Sequence, residues 1–195
     1  MSMRKFRKTF RDSAFFLNWL SDPMKIGTPV SSSAALANLM TERIFRTDTH
    51  IVELGVGTGA ITHALIRRGF SQKNMTLVEI DGNFVRHLRR EFPHANIIQC
   101  DVRELEATVD LHRLQPSIVL SSLPLLSMSY KDRKMILQES FNLLGRSGKF
   151  YQFSYGLRCP VPASVLSDLE LVSDHVGTVW LNFPPARVYE ISAAR

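Results

Sequence analysis

The stretch VELGVGTGAIT, residues 52–62, constrains this chain more than any other. Gly55, Gly57 and Gly59 follow an apolar run, and AITHALIRRG right after them has the pattern of a helix. Glycines there let the backbone turn sharply and let a ligand approach the helix N-terminus with no Cβ in the way. Such a strand–loop–helix unit belongs to an α/β sheet, and the chain repeats its rhythm. Apolar runs at 50–55, 75–80, 95–101, 117–123 and 149–156 predict strands, with helices near 59–69, 82–92 and 130–144 between them. Their continuous apolar character predicts a mostly parallel sheet covered on both faces. Another helix is predicted after Pro29, in SSSAALANLMTERIF, with serines for its N-cap. Beyond it all, ELVSDHVGTVWLN and ARVYEIS read as two strands without room for a crossover helix, hence an antiparallel pair at the sheet edge.

The glycine loop alone leaves its ligand open, because GVGTGA also fits the dinucleotide pattern with Ala60 in last place. Three acids narrow the choice. Glu53 stands two residues before the first glycine, where a pyrophosphate gains nothing from a carboxylate but an α-amino group and a sulfonium do. Glu79 ends the second predicted strand, where an acid takes ribose hydroxyls. Asp101 ends the third and is placed to accept from an adenine amino group; a helix N-cap is the competing role for it. Together they point to S-adenosyl-L-methionine. The predicted cofactor-binding set is Glu53, Gly55, Gly57, Thr58, Gly59, Glu79, Ile80, Asp101 and Val102.

Through VELGVGTGAIT, LVEID and IIQCDV the chain resembles the class I S-adenosylmethionine-dependent methyltransferases. The resemblance implies a Rossmann-like seven-stranded sheet of order 3-2-1-4-5-7-6 with the seventh strand antiparallel. Two subfamilies share the VEID acid and a Leu-Pro turn after the fourth strand: the ribosomal RNA adenine dimethyltransferases and the bacterial phospholipid N-methyltransferases. Here the turn is SSLPLLSMS, with Ser122 where the RNA enzymes have Asn and Leu125 where they have a stacking Tyr. An extruded base needs an aromatic face and an amide. The stretches FLNWLSDPMKIGTPVSSSAALA, GKFYQFSYGLRCPVP and HVGTVWLNFPPARVYEI are similar in order and spacing to the phospholipid N-methyltransferases. That resemblance implies methylation of phosphatidylethanolamine, stepwise toward phosphatidylcholine. RNA adenine N-methylation is the alternative, and an inactive lipid- or cofactor-binding module is a third reading.

The charge of the chain fits a lipid surface. Lys and Arg number 24 against 18 Asp and Glu, a net +6. Arg4, Lys5, Arg7, Lys8 and Arg11 precede the first acid, so the remainder is nearly neutral. On a helical wheel Met3, Phe6, Phe10, Ala14, Leu17 and Leu20 fall opposite these cations. That arrangement predicts a helix in the membrane interface over residues 1–22, followed by a catalytic domain over 23–195. A docked surface helix, a nucleic-acid-binding arm and a transit peptide are its rivals. No run approaches the roughly 20 apolar residues of a membrane span. Cys100 and Cys159 are too few for a disulfide framework, so a reducing compartment is expected. The predicted localisation is cytoplasmic and peripheral, on the inner face of the cell membrane.

Methyl transfer requires no metal ion, and none is expected; the protein positions and desolvates the reactants. Ser121 and Ser122 at the Leu-Pro turn are candidates to orient the amine, and Tyr155 is the third catalytic candidate. Tyr151, Phe153, Trp180 and Phe183 offer further aromatic faces to a methylated, cationic nitrogen. Arg158, Arg187 and Lys25 are candidates for the lipid phosphate, and the histidines form no pattern.

Overall fold

The computed structural model describes residues 30–45, 49–105, 115–182 and 184–194. The predicted interfacial helix with Arg4, Lys5, Phe6, Arg7, Lys8, Phe10 and Arg11 lies outside them, as do Lys25 and Phe183. Every predicted strand forms: β1 (Ile51–Leu54), β2 (Met75–Glu79), β3 (Asn96–Gln99), β4 (Ile118–Ser121), β5 (Lys149–Ser154), β6 (Leu171–Val179) and β7 (Ala186–Ala193). They make one sheet of order β3-β2-β1-β4-β5-β7-β6. β1 to β5 pair in parallel, and β7 runs antiparallel to both β5 and β6. The final hairpin therefore folds back so that its second strand lies inside its first. Both the α/β class and the order are as expected.

Helices α1 (Val30–Thr41), α2 (Ala60–Arg67) and α3 (Gly82–Glu91) cover one face; α4 (Tyr130–Leu144) and the short α5 (Ala163–Asp168) cover the other. On the first face Leu36, Met40, Ile61, Leu65 and Leu88 bury against Ile51, Leu77, Leu120 and Tyr151. On the second Ile136, Leu137, Leu144 and Val165 bury against Val52, Val78, Val119 and Phe150. Each such side chain contributes about 1.5–3 kcal/mol when removed from water, and this double burial selects the parallel sheet. β3 departs from the pattern: it is the sheet edge, and its Asn96 and Gln99 are exposed.

Two helices differ from expectation. α1 begins at Val30, so Ser31–Ser33 lie in its first turn and not at its cap. α5 has no counterpart in the sequence pattern, because six residues after Pro162 are too few to show a 3.6-residue period. α3 is capped by Asp81, whose carboxylate accepts from the backbone N–H groups of Asn83 (2.7 Å) and Phe84 (3.2 Å). α4 is capped by Ser129, which accepts from Asp132 N–H at 3.1 Å.

Strand register brings Leu54, Val78, Ser121 and Gln152 level with one another, and Ser154 level with Arg187. Val179 pairs with Ala186 one step further along. The C-terminal ends of β1, β2, β4, β5 and β6 therefore share one edge. In open α/β sheets this is the edge that binds ligands.

Candidate active site

The first wall of the site is the loop from β1 to α2. Gly55, Gly57 and Gly59 all adopt positive φ, at 72°, 57° and 81°. Gly59 caps α2, and a Cβ there would stand 2.6 Å from Phe92 Cε2, so both sterics and φ demand glycine. At Gly57 a Cβ would meet nothing within 4 Å. The loop is open on that side, and Thr58 at its tip is exposed.

Glu53 lies beneath the loop, 1% exposed. Its Oε2 accepts from Thr62 Oγ1 at 2.7 Å, while its Oε1 is buried with no partner. Burial pushes its carboxyl up to about 8; the Thr62 hydrogen bond opposes the rise and the Glu79 charge adds to it. Glu79, the last residue of β2, spans two turns. Its Oε2 accepts from Gly57 N–H at 2.8 Å and its Oε1 from Asp81 N–H at 2.9 Å. The acid expected to take ribose hydroxyls thus also fixes the glycine loop, with the remaining lone pair of each oxygen left for a ligand. Ile80 follows it, 59% exposed, as an apolar surface beside the carboxylate.

Asp101 takes the competing role as well. It caps the 3-10 turn Val102–Glu104, accepting from Arg103 N–H at 2.9 Å, and its carboxylate is gripped by the Arg103 guanidinium. That guanidinium holds its carboxyl below the usual carboxylate range. Val102 is buried in the second core, where its side chain packs and does not face solvent.

The second wall is the turn after β4. Ser121 is fully buried on the α4 side, with its Oγ 3.4 Å from Leu123 N–H. Ser122 is half-buried, and its N–H donates to Leu54 O at 2.9 Å, which ties the turn to β1. The Leu123 carbonyl accepts from Leu125 N–H at 2.8 Å and from Gln152 Nε2 at 3.0 Å. Leu123–Ser127 with Phe153, Ser154 and Pro160 line a cavity of about 210 Å³ between this turn and the end of β5.

The aromatic residues divide. Tyr151 is fully buried, and its hydroxyl donates to Glu190 Oε2 at 2.8 Å. Lys149 Nζ holds Glu190 Oε1 at 2.6 Å, which makes Tyr151 a core residue. Phe153 packs in the same core and meets Tyr155 edge-on at 5.6 Å. Tyr155, just beyond β5, is half-buried; burial raises its phenol and a hydrogen bond with Asn182 opposes the rise. Trp180 is 73% exposed on the β6–β7 turn. Arg187 Nη1 donates to Gly156 O at 3.1 Å, and Arg158, two residues beyond Gly156, is exposed. Sequence reasoning missed Thr62 and Gln152; the first is three residues beyond Gly59, in the first turn of α2, and only the fold turns it toward Glu53.

The described residues fit S-adenosyl-L-methionine. A buried carboxylate oxygen lacking a donor suits a cationic amino group, and the glycine loop is open where such a ligand would lie. Among the described residues no helix is long and apolar enough to cross a membrane, and no group of three His, Cys, Asp or Glu is placed to hold a metal ion.

Comparison with known proteins agrees with this geometry. The family described as "Methyltransferase domain" matches residues 51–148. An ornithine lipid N-methyltransferase of Singulisphaera acidiphila is 28% identical over 149 residues, covering 72% of this chain and 77% of that protein. A ribosomal RNA small subunit methyltransferase A of Malacoplasma penetrans is 36% identical over 59 residues, covering 30% of this chain and only 21% of that protein. Among solved structures, the Burkholderia thailandensis 1,6-didemethyltoxoflavin-N1-methyltransferase, with its substrate and S-adenosylhomocysteine bound, superposes with a TM-score of 0.70 at 13% identity, covering 100% of this chain and 92% of that one.

Proposed function

Because the chain belongs to the methyltransferase domain family, with S-adenosyl-L-methionine as its donor, we propose that it methylates the amine of a membrane aminophospholipid, phosphatidylethanolamine, stepwise toward phosphatidylcholine. The observation that carries the acceptor reading is the cavity at the end of β4 and β5. Its walls are apolar apart from Ser127 and Ser154, and Leu125 is 1% exposed. No aromatic face or side-chain amide is presented by the turn to an extruded base. The relative from Singulisphaera acidiphila, named for a lipid amine, supports an amine-bearing lipid as acceptor.

When bound, S-adenosyl-L-methionine supplies an electrophilic methyl group. Glu53, Glu79 and the glycine loop would hold it, with Ile80, Asp101 and Val102 beside them. The acceptor must present a lone pair, so an ammonium has to lose its proton. Desolvation between Leu123, Leu126 and Phe153 disfavours the charged amine and lowers its proton affinity. Ser122, at the mouth of the turn, orients the nitrogen; the buried Ser121 shapes the turn; Tyr155 offers a face to the cation that accumulates with each methyl. The basic segment Arg4–Arg11 with Phe6 and Phe10 brings the enzyme to the anionic inner face of the cell membrane.

A radiolabelled methyl-transfer assay tests the reading, using vesicles of phosphatidylethanolamine, vesicles of ornithine lipid and small-subunit ribosomal RNA as separate acceptors. Label in methylated phosphatidylethanolamine supports it. Label confined to ornithine lipid corrects the headgroup, and label confined to RNA overturns the proposal.

A further inference from the structure

Exposed apolar side chains are unevenly placed on this fold. Of the eight large hydrophobic residues left exposed among the described residues, five (Ile80, Leu126, Leu157, Trp180 and Leu181) lie in the turns that follow the C-terminal end of a strand. Leu126 (53% exposed) follows β4, Leu157 (83%) follows β5, and Trp180 (73%) and Leu181 (75%) follow β6. The apolar cavity opens on the same edge, and Leu126 belongs both to its wall and to the rim. Leu126 also lies against Gly156, 3.1 Å from where a Cβ of that glycine would be, so the rim runs on to Leu157. β7 separates β5 from β6, which puts the Leu157 and Trp180 turns about two strand spacings, roughly 10 Å, apart.

We infer that this rim is a bilayer-contact surface of the folded domain, with Leu157 and Trp180 entering the boundary between headgroups and acyl chains of an anionic membrane. The inference rests on the lipid-methylating reading above. Two observations favour a bilayer as the occupant. The first is charge: exposed Arg158 follows Leu157, and the cations Arg4–Arg11 belong to the segment that leads into α1. The second is where that segment enters. α1 runs antiparallel to β6: Arg43 pairs with Asp174, Leu39 meets Gly177, and Ala35 lines a groove with Val179 and Trp180. Val30 therefore starts α1 at the rim, and the 29 residues before it join the domain there. A basic, phenylalanine-rich stretch joined to the domain at the edge that carries an apolar rim can engage the same surface, and Trp suits the interface, where its ring is apolar and its N–H meets water. The acceptor cavity then faces the lipid headgroups directly.

The full chain has two tryptophans, so Trp19→Phe leaves Trp180 as the sole reporter. It is titrated with vesicles of phosphatidylglycerol and phosphatidylethanolamine carrying brominated acyl chains. The expected result is a blue shift and bromine quenching of Trp180. In flotation, Leu157→Ser with Trp180→Ser is expected to weaken vesicle binding about tenfold while cofactor affinity, the check on folding, is unchanged. A chain that floats with Trp180 neither shifted nor quenched overturns the inference, since residues 1–29 then carry the contact alone. Self-association of the lipid-free chain that the double variant abolishes also overturns it. Quenching without lipid methylation in the same vesicles supports the rim and removes the proposed function, whereas methylation without quenching does the reverse.

Discussion

Replacing Glu53 with Gln isolates the charge of the buried acid while keeping its shape. The amide oxygen still accepts from Thr62, and an NH2 replaces one carboxylate oxygen. Burial raises the wild-type carboxyl from 4.5 to about 8. A raised acid prefers to be protonated in the fold, so its ionisation costs stability that grows as pH rises above 4.5 and levels off above the folded value. Linkage puts this cost at about 1 kcal/mol at pH 5, about 3 kcal/mol at pH 7 and about 5 kcal/mol well above pH 8. The Gln variant has no such slope. Its stability relative to wild type, from urea unfolding of the cofactor-free proteins, is expected to rise by about 2 kcal/mol between pH 5 and pH 7. The cofactor reverses the sign. A cationic amino group favours the ionised acid, so binding to wild type at pH 7 should release up to about 0.9 proton, and the variant none from this position. Calorimetry in buffers of different ionisation enthalpy reads that proton directly. Parallel stability profiles, or wild-type binding without proton release, would refute the assignment of Glu53 as the partner of a cationic ligand.

The two glycines flanking Thr58 should behave differently. Gly59→Ala forces a Cβ onto the Phe92 ring and should cost about 2–4 kcal/mol in thermal or urea unfolding, from overpacking plus left-handed strain. Gly57→Ala meets no atom, so its cost should stay near the roughly 1–2 kcal/mol of left-handed strain, while cofactor binding by calorimetry falls at least tenfold. Tyr151→Phe leaves Glu190 Oε2 without its hydroxyl donor and should destabilise by about 1–3 kcal/mol, with unchanged KM for both substrates; a raised KM would return Tyr151 to the active site. Asp101→Ala removes a turn cap, at about 1 kcal/mol, and should also weaken cofactor binding. Equal affinity there would confine Asp101 to the turn.

The strands were legible because an apolar run buried on both faces looks the same wherever its partner lies. Glu79 was legible for a related reason: an acid that ends such a run must emerge at the sheet edge. The order of the sheet was not written in periodicity and came from resemblance. Pairing across strands was hidden too. Tyr151 reads as an aromatic beside a binding edge until register sets it opposite Glu190, 39 residues on. Asp101 was ambiguous because its two roles need the same position, and Arg103, two residues away, favours the cap by local contact. Thr62 escaped because only the packing of α2 on β1 brings its hydroxyl to Glu53.

The two edges of the sheet treat polar groups in opposite ways. Where β5 begins, Glu190 is met by Lys149, by the Tyr151 hydroxyl and, at 3.8 Å, by Arg43, which also pairs with Asp174. At the other edge, buried polar atoms are left open. Glu53 Oε1, Gln152 Oε1 and Asn182 Oδ1 have no partner, and neither does Nε of Arg133, whose Nη1 reaches Pro160 O on the cavity wall. An unmet buried polar group costs about 1–3 kcal/mol, so chance scatter of several is disfavoured. Glu53 Oε1 under the glycine loop and Gln152 Oε1 behind the Leu123 turn each lack a donor, which a cationic amine would bring, whereas Arg133 Nε lacks an acceptor.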